Sequence, residues 1–168
     1  MRCAFRSSGL GSPLRRLRAR QPEVLPAALE EIVEDFRMSP REMRLQMLLD
    51  FSRSLPPLPE RYVDAHETLE RVAECQTPFF VAVEIEDERV HLFFDAPPEA
   101  PTTRGYAGIL AAGLDGVSVR EVLETSPDFA LSMGLGELVS PLRLRGMSAI
   151  LARIKRQVVM RTETSLGG

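Results

Sequence analysis

The sequence predicts an α+β domain in which helices precede and follow a small antiparallel sheet. Three observations predict it. Apolar residues recur at helical spacing before the Leu55-Pro56-Pro57-Leu58-Pro59 connector and again after Pro101. Between these stretches, Phe79 to Ala96 alternates apolar and polar with the two-residue period of a hairpin. Proline clusters separate the two regimes. A length of 168 residues suits one domain with a real hydrophobic core.

Pro26 to Phe36 reads as a first helix, with Leu29, Ile32, Val33 and Phe36 on one face. Ser39-Pro40-Arg41-Glu42 is the pattern of a capping box opening a second helix, whose apolar residues are Met43, Leu45, Met47, Leu48, Leu49 and Phe51. The proline-rich connector stops it. His66 to Ala73 fits either a short helix or a first strand. Phe79 to Glu86 and Arg89 to Ala96 then form the hairpin, turning at Asp87-Glu88. Thr102 or Thr103 is expected to cap the next helix, which Gly113 and Gly116 close. Ser118-Val119-Arg120-Glu121 is a second capping box, and Ser126-Pro127 begins a short helix through Phe129 and Met133. The final helix starts at Ser140-Pro141, with Met147, Ile150, Leu151, Ile154 and Val158 on one face and Lys155, Arg156 and Arg161 placed to suit its C-terminal dipole.

Charge is unevenly distributed. Residues 1–21 hold Arg2, Arg6, Arg15, Arg16, Arg18 and Arg20 and no acid, leaving 15 basic against 24 acidic residues in the remainder. An acidic body argues against nucleic-acid binding, which needs a positive surface. No apolar run reaches the roughly 20 residues of a membrane helix. The leader has the composition of an organellar transit peptide, or reflects a start assigned too early; the second reading is preferred, and with it a cytoplasmic location. The expected division is a mobile leader over 1–22, one domain over 23–162 and a mobile tail over 163–168. Arginine supplies 20 of the 21 basic residues, a coding bias before it is a functional signal.

Cys75 carries the most chemical information. The other cysteine, Cys3, lies in the leader, so the body has one thiol, in Glu74-Cys75-Gln76-Thr77-Pro78 at the mouth of a strand. Such a thiol can be attacked, oxidised or loaded with sulfur. It cannot pair within the core, and alone it cannot supply the ligands of an iron–sulfur cluster. Two distant cysteines suggest a reducing compartment. Taken alone, a free cysteine is more often a small buried hydrophobe than a reactive group. Gly134-Leu135-Gly136 follows no strand and is too short for a phosphate loop. His91 and His66 read as ordinary polar residues.

Three spaced motifs alter that balance. Glu74-Cys75-Gln76-Thr77-Pro78, then Ala96-Pro97-Pro98-Glu99-Ala100-Pro101-Thr102-Thr103-Arg104-Gly105, then Ser140-Pro141-Leu142-Arg143-Leu144-Arg145-Gly146-Met147 resemble, in order, the SufE-type sulfur acceptor proteins over residues 25–160. The cysteine motif is similar to that of the actinobacterial branch, where proteobacterial members read Gly-Cys-Gln-Ser. The resemblance implies a three-stranded antiparallel meander flanked by helices, like the NifU-type scaffolds, with the first strand inside 66–73 and Cys75 at the tip of the following loop. It implies a partner, a PLP-dependent cysteine desulfurase, whose turnover such proteins often raise, and a recipient in iron–sulfur cluster assembly. It implies no cofactor of the chain's own and a carrier rather than a complete catalyst. Carried over by position are Cys75 as acceptor, Arg143, Arg104 and the acidic Asp95.

The implied chemistry is thiol–persulfide exchange, whose rate depends on thiolate fraction, nucleophilicity and access. Arg104, Arg143 or a helix start near Thr102 or Ser140 could help ionise the thiol, while Glu74 opposes ionisation. The expectation is a weakly activated thiol on a loop that tucks in when free and extends when docked. Asp95 fits a strand-ending or capping role as well as a site role. Three further readings compete: a docking module that stimulates the desulfurase without carrying sulfur, a thiol redox sensor without a resolving cysteine in the body, and a cluster scaffold, which has too few ligands.

Overall fold

The computed structural model describes residues 24–166, and the leader expected over 1–22 lies outside them. Among the described residues, seven α-helices and one sheet follow in the order α1 (Ala27–Met38), α2 (Arg41–Ser54), α3 (Glu60–Asp64), β1 (Glu70–Arg71), β2 (Phe80–Glu86), β3 (Arg89–Asp95), α4 (Pro101–Leu114), α5 (Val119–Glu124), α6 (Phe129–Ser132) and α7 (Pro141–Leu166). The fold is α+β with a three-stranded antiparallel sheet in the order β1-β2-β3, as expected. The ambiguous stretch resolves into both alternatives, a 3-10 turn at His66–Thr68 followed by the two-residue β1.

The alternation in the hairpin sets its two faces. Val81 pairs with Phe94, Val83 with Leu92 and Ile85 with Val90. Phe79, Val81, Val83, Val90, Leu92 and Phe94 enter the main core with the inner faces of α1, α2, α4 and α7. Phe80, Ala82 and Phe93 face the other way, under Tyr62, Leu69 and Leu58 of the connector region. Asp87 and Glu88 both adopt positive φ, as a two-residue hairpin turn requires. Neither is glycine, so the turn costs on the order of 1 kcal/mol or more per residue. Val119 N–H donates to Glu88 O and fastens it to the start of α5.

Helix α4 lies against α2 at backbone contact. A Cβ on Gly105 would fall 2.2 Å from Leu48 O, and one on Gly108 equally close to Phe51 O. This approach holds the first turn of α4 beside the end of α2, and that turn forms one wall of the cleft described below.

Several local expectations are corrected. Ser39 caps no helix start; its hydroxyl donates to Asp35 O and closes α1 instead. Helix α4 begins at Pro101 with Ala100 as its cap, so Thr102 and Thr103 sit inside the first turn. Gly113 is an interior residue of α4 against Leu29, and Gly116, at φ +76°, makes the left-handed exit. The Ser118–Glu121 capping box forms as expected. Lys155 serves a different helix from the expected one. Its Nζ donates to Leu123 O and Thr125 O at the C-terminus of α5, while α7 itself continues through Leu166, beyond the expected domain end at 162.

Candidate functional site: a thiol seated on a helix

Residues 72–79 form the loop between β1 and β2, with Cys75 near its tip. Its feet are fixed by burial and backbone pairing. Val72 and Phe79 are fully buried, and Val72 N–H donates to Phe79 O at 2.9 Å. Burying such side chains contributes about 1.5–3 kcal/mol each. Cys75 N–H closes a tight turn onto Val72 O at 3.1 Å. Ala73, Glu74, Gln76 and Pro78 are exposed, whereas Cys75 is half-buried against the main core.

The thiol rests on α7 where that helix has no side chain. A Cβ built on Gly146 would lie 3.4 Å from Cys75 Sγ and 3.5 Å from Glu74 O. Around it opens a cleft of about 170 Å³. Its walls are the cysteine loop, the first turn of α4 with Thr102 and Thr103, and the first turn of α7 with Leu142 and Arg143. Two helix N-termini therefore border the thiol, and the partial positive charge of a helix start favours an anion. Burial outweighs this in the free protein. It pushes the Cys75 thiol up to about 11, the Glu74 carboxylate adds to the rise, and Arg153 pulls the other way. At neutral pH the resting group is a protonated thiol.

Of the residues singled out from sequence, the structure brings Cys75 and Arg143 to one cleft and leaves Arg104 and Asp95 off its walls. Arg104, expected beside the thiol, is turned to the backbone. Its Nε donates to Ser52 O at 2.9 Å and its Nη1 to Ala96 O at 2.5 Å, tying α4 to the ends of α2 and β3. Asp95 sits at the end of β3 with a carboxylate oxygen 2.8 Å from His66 Nε2. His66, unremarkable in the sequence, also meets the Phe80 ring edge-on at 4.5 Å.

Sequence reasoning missed the polar seam of α7. Gly146, Arg153 and Gln157 fall on one stripe of the helix, spaced seven and four residues apart. Gln157 Oε1 accepts from Val83 N–H at 3.0 Å, standing in for the strand partner that the short β1 does not provide. Its Nε2 donates to Glu70 at 3.0 Å. Arg153 bridges Glu70 and Glu74. The only signal in the sequence was helical spacing from Gly146, because the acidic partners lie about eighty positions away.

Among the described residues, no three of His, Cys, Asp and Glu converge as a metal site, and no helix is long and apolar enough to cross a membrane.

The chain has relatives among known proteins. Residues 30–158 match SufE, described as an Fe-S metabolism associated domain. An uncharacterized SufE-like protein of Mycobacterium tuberculosis is 51% identical over 138 residues, covering 82% of this chain and 95% of that one. The cysteine desulfuration protein SufE of Plasmodium vivax is 24% identical over 149 residues, covering 86% of this chain and 58% of its own length. A solution structure of a hypothetical protein from Thermus thermophilus superposes with a TM-score of 0.72 at 44% identity, over 81% of this chain and 96% of the other.

Proposed function

The chain belongs to the SufE family, and on that footing we propose that it is the sulfur-accepting partner of a PLP-dependent cysteine desulfurase. In this reading Cys75 holds the sulfur as a persulfide and passes it toward iron–sulfur cluster assembly in a reducing, cytoplasmic setting. The observation that carries the reading is the placement of the body's one thiol near the tip of a loop, seated on the bare backbone of Gly146 beside two helix starts.

The transfer is an exchange at sulfur. The Cys75 sulfur attacks the outer sulfur of the donor's persulfide. The new S–S bond forms on Cys75, the donor's S–S bond breaks, and the proton given up by Cys75 ends on the departing donor thiolate. No external oxidant is consumed. Charge develops on sulfur as the thiol gives up its proton, and Arg143 and the starts of α4 and α7 border the seat from which the loop carries it. Arg104 enters as a residue that ties α4 to Ser52 O and Ala96 O, and Asp95 as one that pairs with His66 at the end of β3.

A thiol held near 11 is a poor nucleophile at neutral pH. Docking is therefore the activating event, because it carries the loop out of its seat and relieves the burial that keeps the proton on. A protected resting thiol also stays unreactive toward stray oxidants.

The test incubates the chain with a cysteine desulfurase, PLP and cysteine, then maps the mass of the Cys75 peptide. A gain of one sulfur atom, reversed by reductant, supports the carrier. Stimulation of the desulfurase that survives Cys75→Ser, with no sulfur gained by the wild type, replaces it with a docking module.

A further inference from the structure

One guanidinium fastens the cysteine loop to the body of the protein. Arg153 Nη2 donates to the two carboxylate oxygens of Glu74 at 3.0 and 2.9 Å. Its Nε and Nη1 stand 3.0 and 3.1 Å from Glu70 Oε1. The planar fork of arginine suits this double duty, which lysine could not reproduce. The two arms are unequal. Glu70 is also gripped by Arg156 and by Gln157, and its side chain is 25% exposed. The Glu74 arm rests on Arg153 at a side chain 46% exposed. Solvent competes more strongly for the second arm, so it is the one that opens first.

What this arm restrains is the tip of the loop. The feet at Val72 and Phe79 are locked into the core. The tip is held by the local turn from Cys75 N–H to Val72 O, by contact with Gly146, and by Glu74 on Arg153. Glu74 immediately precedes the thiol, so its anchorage transmits directly to Cys75.

We propose that Arg153 is a positioning residue for sulfur transfer: by gripping Glu74 it keeps Cys75 seated on Gly146, and release of that grip lets the loop tip swing out with the thiol. The use of this latch in transfer rests on the reading of Cys75 as the acceptor. The latch itself is a property of the free protein and is tested there, without any desulfurase.

The charged groups acting on the thiol are Glu74 on its own loop and Arg153 on α7, and Glu99 before α4 and Arg143 on α7 line the same cleft. Removing the Arg153 charge has two opposed effects. Loss of a cation alone raises the thiol pKa and slows its reaction. Loss of the latch exposes the thiol, lowers its pKa toward the ordinary range and speeds reaction. The sign of the change separates the two.

The experiment measures alkylation of the full chain by iodoacetamide across pH, followed on the Cys75 peptide so that Cys3 does not contribute. The latch predicts that Arg153→Gln raises the rate at about pH 8 by roughly tenfold and lowers the apparent thiol pKa. An unchanged or slower rate, or a higher pKa, overturns it. Glu74→Gln cuts the same tie while leaving Arg153 on Glu70, and guards against a misfolded Arg153 variant. Here the readout is amide hydrogen exchange at Cys75, whose N–H is held on Val72 O: faster exchange is expected, and unchanged protection overturns the proposal. A wild type that fails to gain sulfur from a desulfurase would refute the acceptor role while leaving both of these results standing.

Discussion

Cys75 Sγ lies 3.4 Å from the point where a Cβ on Gly146 would stand, so the thiol is seated against bare helix backbone. That distance is ordinary van der Waals contact, which fixes what the position tolerates. Gly146→Ala is expected to fit and, by removing glycine from a helix interior, to stabilise the protein by up to about 1 kcal/mol in urea unfolding. Gly146→Val adds two methyl groups where the loop sits. It is expected to lift the loop and speed alkylation of Cys75. A valine variant with a more protected thiol would mean that the loop does not rest on this helix.

The elevated thiol pKa has a measurable signature. Alkylation of Cys75 in the free protein is expected to rise about tenfold per pH unit from pH 7 to about pH 10 without levelling, whereas an ordinary thiol levels above about 8.5. Stability follows the same linkage. The folded thiol holds its proton to about 11, and the unfolded one loses it near the ordinary value. The contribution is therefore present in full below about pH 8.5–9 and is lost as pH rises toward about 11. Cys75→Ser removes that part of the alkaline decline. A decline of equal slope in both proteins over this window would show that the thiol is not the group responsible.

Arg143 and Arg104 separate by which property their loss affects. Arg143 is exposed on the first turn of α7 and borders the cleft. Arg143→Ala is expected to leave stability within about 0.5 kcal/mol of wild type. It should slow sulfur acceptance from the desulfurase by about tenfold, the loss of about 1.4 kcal/mol of interaction with charge on the transferring sulfur.

Arg104 behaves in the opposite way. Arg104→Met strands the carbonyls of Ser52 and Ala96 and is expected to cost about 2–4 kcal/mol in unfolding free energy. Sulfur acceptance per folded molecule should change little. A stable Arg104 variant that cannot accept sulfur would return this residue to the chemistry.

What was legible in the sequence was whatever repeats within a few residues. The hairpin from Phe80 to Asp95 follows from the two-residue period of Val81, Val83, Ile85, Val90, Leu92 and Phe94, because a slip of one residue would move that set off the main core. The face of α7 at Met147, Ile150, Leu151, Ile154 and Val158 is buried for the same reason. The first strand was not legible from its residues. Glu70 and Arg71 have no strand pattern of their own and are extended because β2 pairs with that stretch. Caps divided according to competition for the hydroxyl. Both serines have a glutamate three residues on, and Ser118 forms its box with Glu121. Ser39 instead spends its hydroxyl on the preceding helix. At the site, the motifs reached Cys75 and Arg143 but not Arg153, whose role depends on a partner 79 positions away. Arg104 was read as a site residue because a charge beside a motif gives no indication of which way it points; here it points to backbone carbonyls.

The most direct measurement follows sulfur from radiolabelled cysteine through a desulfurase onto this chain, with the two proteins separated under non-reducing conditions. The account predicts label on the wild-type chain, released by reductant, and none on Cys75→Ser. Label that persists on the serine variant, or a wild-type chain that stimulates the desulfurase yet never carries label, would contradict it.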